Sequence, residues 1–252
     1  MTIEYGSKGL IGVLTPQANT TVEPEFWSLL PHGFSLINAR LVSSCLTIEE
    51  RLVDYFANLE KSIHQFGNAP IKVLAIACTG SSYLVGRQHE QELLDQVSQT
   101  LGINVITSGV AVVAALNNLG AHKIALCSPY PDHLTNLSIK YWQSFGFEVT
   151  KVVSISQATE QFHPIYGISA QSALDGLIEL SESNAEAIVM LGTGMPTLMP
   201  LIKGNEVLPD LPVISCMLST AWYSVRQIDA EFSDLRAWIK TPNGLDRLKF
   251  FD

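Results

Sequence analysis

Apolar and polar positions along this chain fall into two alternating rhythms. Short, nearly uninterrupted apolar runs rich in Val, Ile and Leu occupy residues 10–15, 34–40, 71–77, 103–107, 123–128, 148–154, 187–191 and 212–216. Runs of this length that do not alternate with polar residues predict parallel strands buried on both faces. Between them lie longer stretches with helical spacing: residues 48–66, where Leu52, Tyr55, Phe56, Leu59 and Ile63 share one face, then 88–101, 110–119, 132–145, 170–183 and 219–228. Strand, helix, strand repeated in this way predicts an α/β fold with right-handed crossovers. Ligands in such sheets sit beyond the carboxyl ends of the strands, where Thr15, Cys78, Ser128 and Gly192 all fall.

The pattern also repeats itself. Residues 10–16 (LIGVLTP) echo 123–129 (KIALCSP), and each closing proline is followed 17 residues later by a Gly-Phe pair, Gly33-Phe34 and Gly146-Phe147. Pro16 precedes the strand-end motif Ala77-Cys78-Thr79-Gly80 by 62 residues to Cys78, and Pro129 precedes Leu191-Gly192-Thr193-Gly194 by 63 to Gly192. Residues 104–107 (NVIT) and 212–215 (PVIS) follow in the same order. The expected architecture is two pseudosymmetric lobes, each a mainly parallel four-stranded sheet flanked by helices, with the active site in the cleft between them. The first lobe is expected to span 1–108 together with a returning tail 229–252, and the second 109–228. Cys78 would stand on one wall only, since its counterpart Gly192 carries no thiol.

Composition narrows the function classes. A chain of 252 residues with 47% apolar content can bury a large core. A net charge of -9 without a basic run argues against nucleic acid as partner. No run of eighteen apolar residues and no basic-then-apolar N-terminal segment occurs, so no membrane association and a cytoplasmic location are expected. Cys45, Cys78, Cys127 and Cys216 lack ligand or disulfide spacing, so no metal and no cofactor is expected. A homo-oligomer is left open.

Cys78 borders a strand, where a cysteine commonly serves as a small buried hydrophobe. Its neighbours Thr79, Gly80 and Ser81 form a hydroxyl-rich turn able to open a helix, and such a terminus offers N–H groups to an anion and lowers the pKa of an adjacent thiol. Thr15, Pro16 and Asn19 lie in the polar turn after the first strand, as cap residues or as neutral donors to a carboxylate. Tyr130 occupies the equivalent loop of the second half, as packing or as an O–H donor, opposite Gly192, Thr193 and Gly194. His163 and Tyr166 precede the helix after the sixth strand, in loop sequence.

The run from Ile11 to Pro16 with Asn19, Thr20, Thr21 and Glu23, the strand-end Cys78-Thr79-Gly80, Pro129-Tyr130 and Gly192-Thr193-Gly194 together resemble the aspartate/glutamate racemase superfamily, in the branch of maleate cis-trans isomerase and arylmalonate decarboxylase. The resemblance implies cofactor-free chemistry at a carbon next to a carboxylate of a small dicarboxylic acid or arylmalonate. It implies Cys78 as nucleophile, Asn19 and Tyr130 as carboxylate-binding groups, and Thr79 as an oxyanion-binding group. The chain departs from the pattern in the second lobe, where racemases and isomerases carry a second cysteine and this sequence has Gly192 and Thr193. Cys216, at the end of the last strand, is the candidate substitute acid or base. The competing readings are an amino-acid racemase of the Asp/Glu type and a non-catalytic carboxylate-binding protein that lost turnover with the second cysteine.

Overall fold

The computed structural model describes residues 3–155 and 164–240; His163 and the end of the expected tail, 241–252, lie outside them. Two four-stranded sheets form the framework. The first contains β1 (Gly9–Pro16), β2 (Phe34–Leu41), β3 (Val73–Ile76) and β4 (Asn104–Thr107) in the order β2-β1-β3-β4. The second contains β5 (Lys123–Ser128), β6 (Glu148–Ser154), β7 (Ala187–Met190) and β8 (Val213–Ser215) in the order β6-β5-β7-β8. Every strand pairing is parallel. The identical order confirms two lobes of the same topology, and the central strands β1, β3, β5 and β7 are buried almost throughout, as uninterrupted apolar runs require.

The helices are α1 (Val22–Leu29), α2 (Ile48–Ala57), α3 (Leu59–Ile63), α4 (Thr79–Leu101), α5 (Ser108–Leu119), α6 (Asp132–Ser144), α7 (Ala170–Leu180), α8 (Leu198–Val207), α9 (Cys216–Ile228) and α10 (Leu235–Lys240). The amphipathic stretch 48–66 is broken at Asn58 into two helices and a short 3-10 turn. A capping box starts α2: Thr47 Oγ1 accepts from the N–H of Glu50, whose carboxylate accepts from the N–H of Thr47. Leu52, Tyr55 and Phe56 face the core from α2.

Several helices differ from the sequence expectation, α4 and α8 most of all. α4 begins at Thr79, immediately after Cys78, and is interrupted at Gly86, whose φ of 77° only glycine adopts without strain. α8 was not anticipated, because its internal Pro200 and Gly204 weaken the helical signal.

The lobes are joined by buried polar contacts as well as apolar packing. Glu25 on α1 accepts hydrogen bonds from the N–H groups of Thr197 and Leu198 and from Thr197 Oγ1 at 2.6 Å, which caps α8 of the opposite lobe. Glu90 on α4 accepts from Thr107 Oγ1 and from Tyr141 Oη of α6, each at 2.6 Å. α9 lies against α1, α5 and the strands β3 and β4. No helix among the described residues is long and apolar enough to cross a membrane.

Candidate active site

The strand ends of both lobes, together with α2, surround one cavity of about 110 Å3. Sites for drug-sized ligands run to roughly 300–1,000 Å3, so the occupant here is small. Pro16, Asn19, Cys78, Thr79, Gly80, Tyr130, Thr193 and Gly194 line it, bringing the two halves of the duplicated pattern face to face. Thr15, Ser81, Gly192 and Cys216 stand behind the wall. Thr15 Oγ1 donates to Asn38 Oδ1 at 2.6 Å. Gly192 has φ of 83°, and a Cβ there would stand 3.0 Å from Pro129 Cγ and 3.1 Å from Tyr130 Oη, so the loop needs glycine both for its conformation and for the approach of the phenol.

Cys78 is the N-cap of α4, with extended backbone, and is 3% exposed. Its Sγ lies 3.2 Å from Ser81 Oγ, whose proton is donated to Leu52 O at 2.6 Å. The thiol is therefore the donor to Ser81, an arrangement that favours its protonated form. Burial pushes the Cys78 thiol above its usual value of 9.0, against the pull of the Ser81 and Gly80 N–H groups. The expectation that the turn holds a ready thiolate is thus overturned in direction: the helix terminus supplies donors, but loss of water outweighs them.

Tyr130 Oη lies 3.0 Å from Thr79 Oγ1 and joins the two lobes. Burial, then the neighbouring Cys216, hold the phenol well above its usual range, so it remains a neutral O–H donor. Its ring packs edge-on against Tyr83, with centroids 5.9 Å apart, and Tyr83 in turn contacts Tyr141 and Trp142. A rigid aromatic block therefore aims the hydroxyl. Cys216 begins α9 with its side chain fully buried; burial pushes its thiol up to about 12, against the N–H of Gly192, the hydroxyl of Thr79 and its own N–H. Cys216 does not itself line the cavity, but Thr79, whose hydroxyl bonds it, does.

Asn19 has more duties than a substrate donor alone would have. Its Oδ1 accepts from the N–H of Thr21 and Val22, capping α1, and its Nδ2 donates to Thr193 O at 3.1 Å. One amide hydrogen is left for a ligand. Thr193 donates its hydroxyl to Ala77 O at 2.8 Å. Its side chain thus ties the lobes together, with its proton directed at the backbone beside Cys78.

The wall contributed by α2 was missed from sequence: Ile48, Glu49, Arg51, Leu52 and Tyr55 all line the cavity. The i, i+3, i+4, i+7 spacing of Ile48, Arg51, Leu52 and Tyr55 was the available signal, but the same spacing equally describes a core-facing helix. Pro129, Ile165 and Tyr166 close the opposite side. Tyr166 is held well above the ordinary phenol range, chiefly by burial and then by Cys78, which marks it as a second neutral phenol near the thiol. Among the described residues, no group of three or more His, Cys, Asp or Glu is placed to hold a metal ion.

Known proteins share this arrangement of lobes. Maleate isomerase of Geobacillus stearothermophilus is 29% identical over 233 residues, covering 87% of this chain and 91% of that protein. Maleate isomerase of Pseudomonas putida is 26% identical over 239 residues, covering 88% and 92%. The structure of Nocardia farcinica maleate cis-trans isomerase carrying a covalently bound succinylcysteine intermediate superposes with a TM-score of 0.78 at 23% identity, over 95% of this chain and 98% of that one. Arylmalonate decarboxylase superposes with a TM-score of 0.70 at 17% identity, over 87% and 92%. The family model for arylmalonate decarboxylase matches residues 11–236, from the first strand into α10, and the chain belongs to that family.

Proposed function

We propose that the protein is a cofactor-independent cysteine enzyme acting at the carbon next to a carboxylate of a small dicarboxylic acid, with cis-trans isomerisation of a maleate-type substrate as the primary reaction. The observation that carries this reading is the single thiol, Cys78, on the wall of a small cavity that also presents the neutral hydroxyl of Tyr130. Relatives named as maleate isomerases support it.

One thiol suffices for such a reaction. The Cys78 thiolate adds to one carbon of the double bond, forming a C–S bond and sending the electron pair onto the neighbouring carboxylate as an enediolate. The former double bond is now single and rotates. The electron pair then returns, the C–S bond breaks and the trans product leaves with the thiolate regenerated, so no second acid or base is consumed. Tyr130 Oη and the N–H groups at the start of α4 stabilise the enediolate. Tyr130→Phe, which removes this donor while keeping the ring, is expected to lower kcat by about 10²-fold with little change in stability, measured by steady-state kinetics beside thermal unfolding. An unchanged kcat would remove Tyr130 from the mechanism.

The protonated state of Cys78 favours a second reading. A malonate that loses carbon dioxide leaves an enediolate, which the Cys78 S–H protonates on one face. Maleate, substituted malonates and aspartate, each incubated with the pure protein and followed by product analysis, separate the readings. Isomerisation needs the thiolate, so its rate climbs from neutral toward alkaline pH. Decarboxylation needs the thiol, so its rate is flat near neutrality and falls at high pH. Turnover of none of the three would end both. The four unpaired cysteines suit a reducing compartment, and we place the enzyme in the cytoplasm on that ground.

A further inference from the structure

Arg51 is a cation in the cavity wall with no counter-ion among the described residues. It projects from α2, half-buried, beside Leu52 and Tyr55. Its Nε donates to Cys45 O at 2.7 Å and its Nη2 to Leu46 O at 3.2 Å, which anchors the guanidinium along one edge. The other edge, made by Nη1 and the second Nη2 hydrogen, has no acceptor among the described residues.

The neighbouring charges are committed elsewhere. Arg40 donates through Nη1 to Asn19 O at 3.0 Å and pairs through Nη2 with Glu23. Glu49 is engaged at 2.6 Å by His133 of α6. A guanidinium fixed from behind, with a two-donor edge free, matches a carboxylate in shape and charge. Supporting the loop before α2 needs only the two carbonyl contacts and does not account for the remaining edge.

We propose that Arg51 is a specificity-determining residue: it binds the second anionic group of the substrate, so that the α2 side of the cavity takes a carboxylate rather than a neutral hydrocarbon substituent. The inference rests on the dicarboxylate reading above and adds to it the residue that recognises the second charge. Placing the anion there also explains a half-buried cation next to the apolar Ile48 and Leu52.

The test is binding, read without turnover. Calorimetric titration of succinate, with two carboxylates, and butyrate, with one, is carried out on the wild type, R51M, R51Q and R51K at one ionic strength. The wild type should favour succinate by about tenfold or more, as a charge-assisted pair implies. R51M should reduce that preference to within about twofold while leaving butyrate binding unchanged, and R51K should restore part of it. R51Q, which keeps donors for the two carbonyls, serves the same purpose if R51M does not fold. A preference that survives in both neutral variants, an equal loss for the two acids, or a wild type that shows no preference would each overturn the proposal. Failure of maleate and malonates to turn over would instead defeat the activity reading, and leaves the binding ratio readable.

Discussion

Cys78→Ala is expected to reduce turnover by at least about 10³-fold, the scale on which loss of an essential nucleophile is felt. Circular dichroism and thermal unfolding should be little altered, because the thiol is small and the backbone of Cys78 is extended and unstrained. Cys216→Ala is the control. Its thiol is fully buried and outside the cavity wall, and it should retain activity within about threefold, the residual effect coming from a small cavity behind Thr79. The pH dependence carries further information. Burial holds the Cys78 thiol above 9.0, so an isomerase that attacks through the thiolate should show kcat/KM rising throughout the neutral range, and the rise should vanish in any residual activity of Cys78→Ser. A folded Cys216→Ala as inactive as Cys78→Ala would mean that two thiols act together and would sink the one-thiol mechanism.

Glu25→Gln is expected to stabilise the protein at alkaline pH and to leave it unchanged in acid. Burial raises the Glu25 carboxyl from 4.5 to about 7, against the hydrogen bonds from Thr197 and Leu198. Between those two values the folded chain holds a proton that the unfolded chain has released. Stability from this group is therefore complete below pH 4.5, declines as the pH rises through 7, and is flat above. A shift of this size corresponds to roughly 3 kcal/mol at most, and a change of about 1–3 kcal/mol is expected. Glutamine offers the same carbonyl oxygen to the two N–H groups and an amide hydrogen to Thr197 Oγ1, without the charge. Urea unfolding at pH 5 and pH 8 measures the difference. Glu90 is also raised by burial and contributes a slope of the same sign, but it is present in both proteins and cancels. Equal losses at both pH values would show that Glu25 is bound as a carboxylate throughout.

Much of this architecture could be read from the chain because its strands are buried on both faces. Ile11, Val13 and Leu14, or Ile188, Val189 and Met190, admit no solvent-facing alternation and so announce parallel sheet. The duplicated spacing then located both strand-end loops, and with them Cys78, Tyr130 and Thr193. The helix starts were harder. Gly80, Ser81, Ser82 and Gly86 are poor helix formers, and the first turns of α4 exist because the strand end and the packing of Leu52 against Gly80 dictate them. Arg51 and Tyr55 were invisible as site residues for a different reason. Their part in the cavity depends on where α2 docks, and no local pattern records a docking angle. The duties of Asn19 were hidden likewise, since its partner Thr193 is 174 residues away in the chain.

Two sheets of one topology suggest two units that could melt in turn. The capping of α8 by Glu25, the bond from Thr193 to Ala77, and the carboxylate of Glu90 shared between Thr107 and Tyr141 argue otherwise. Each places a buried polar atom of one half on a partner supplied by the other, and separation would strand those atoms, at about 1–3 kcal/mol apiece. The repeated half is thus a unit of pattern but not of folding: neither half satisfies its own interior, and the cooperative unit is the whole chain. A weakness in either lobe becomes a weakness of both.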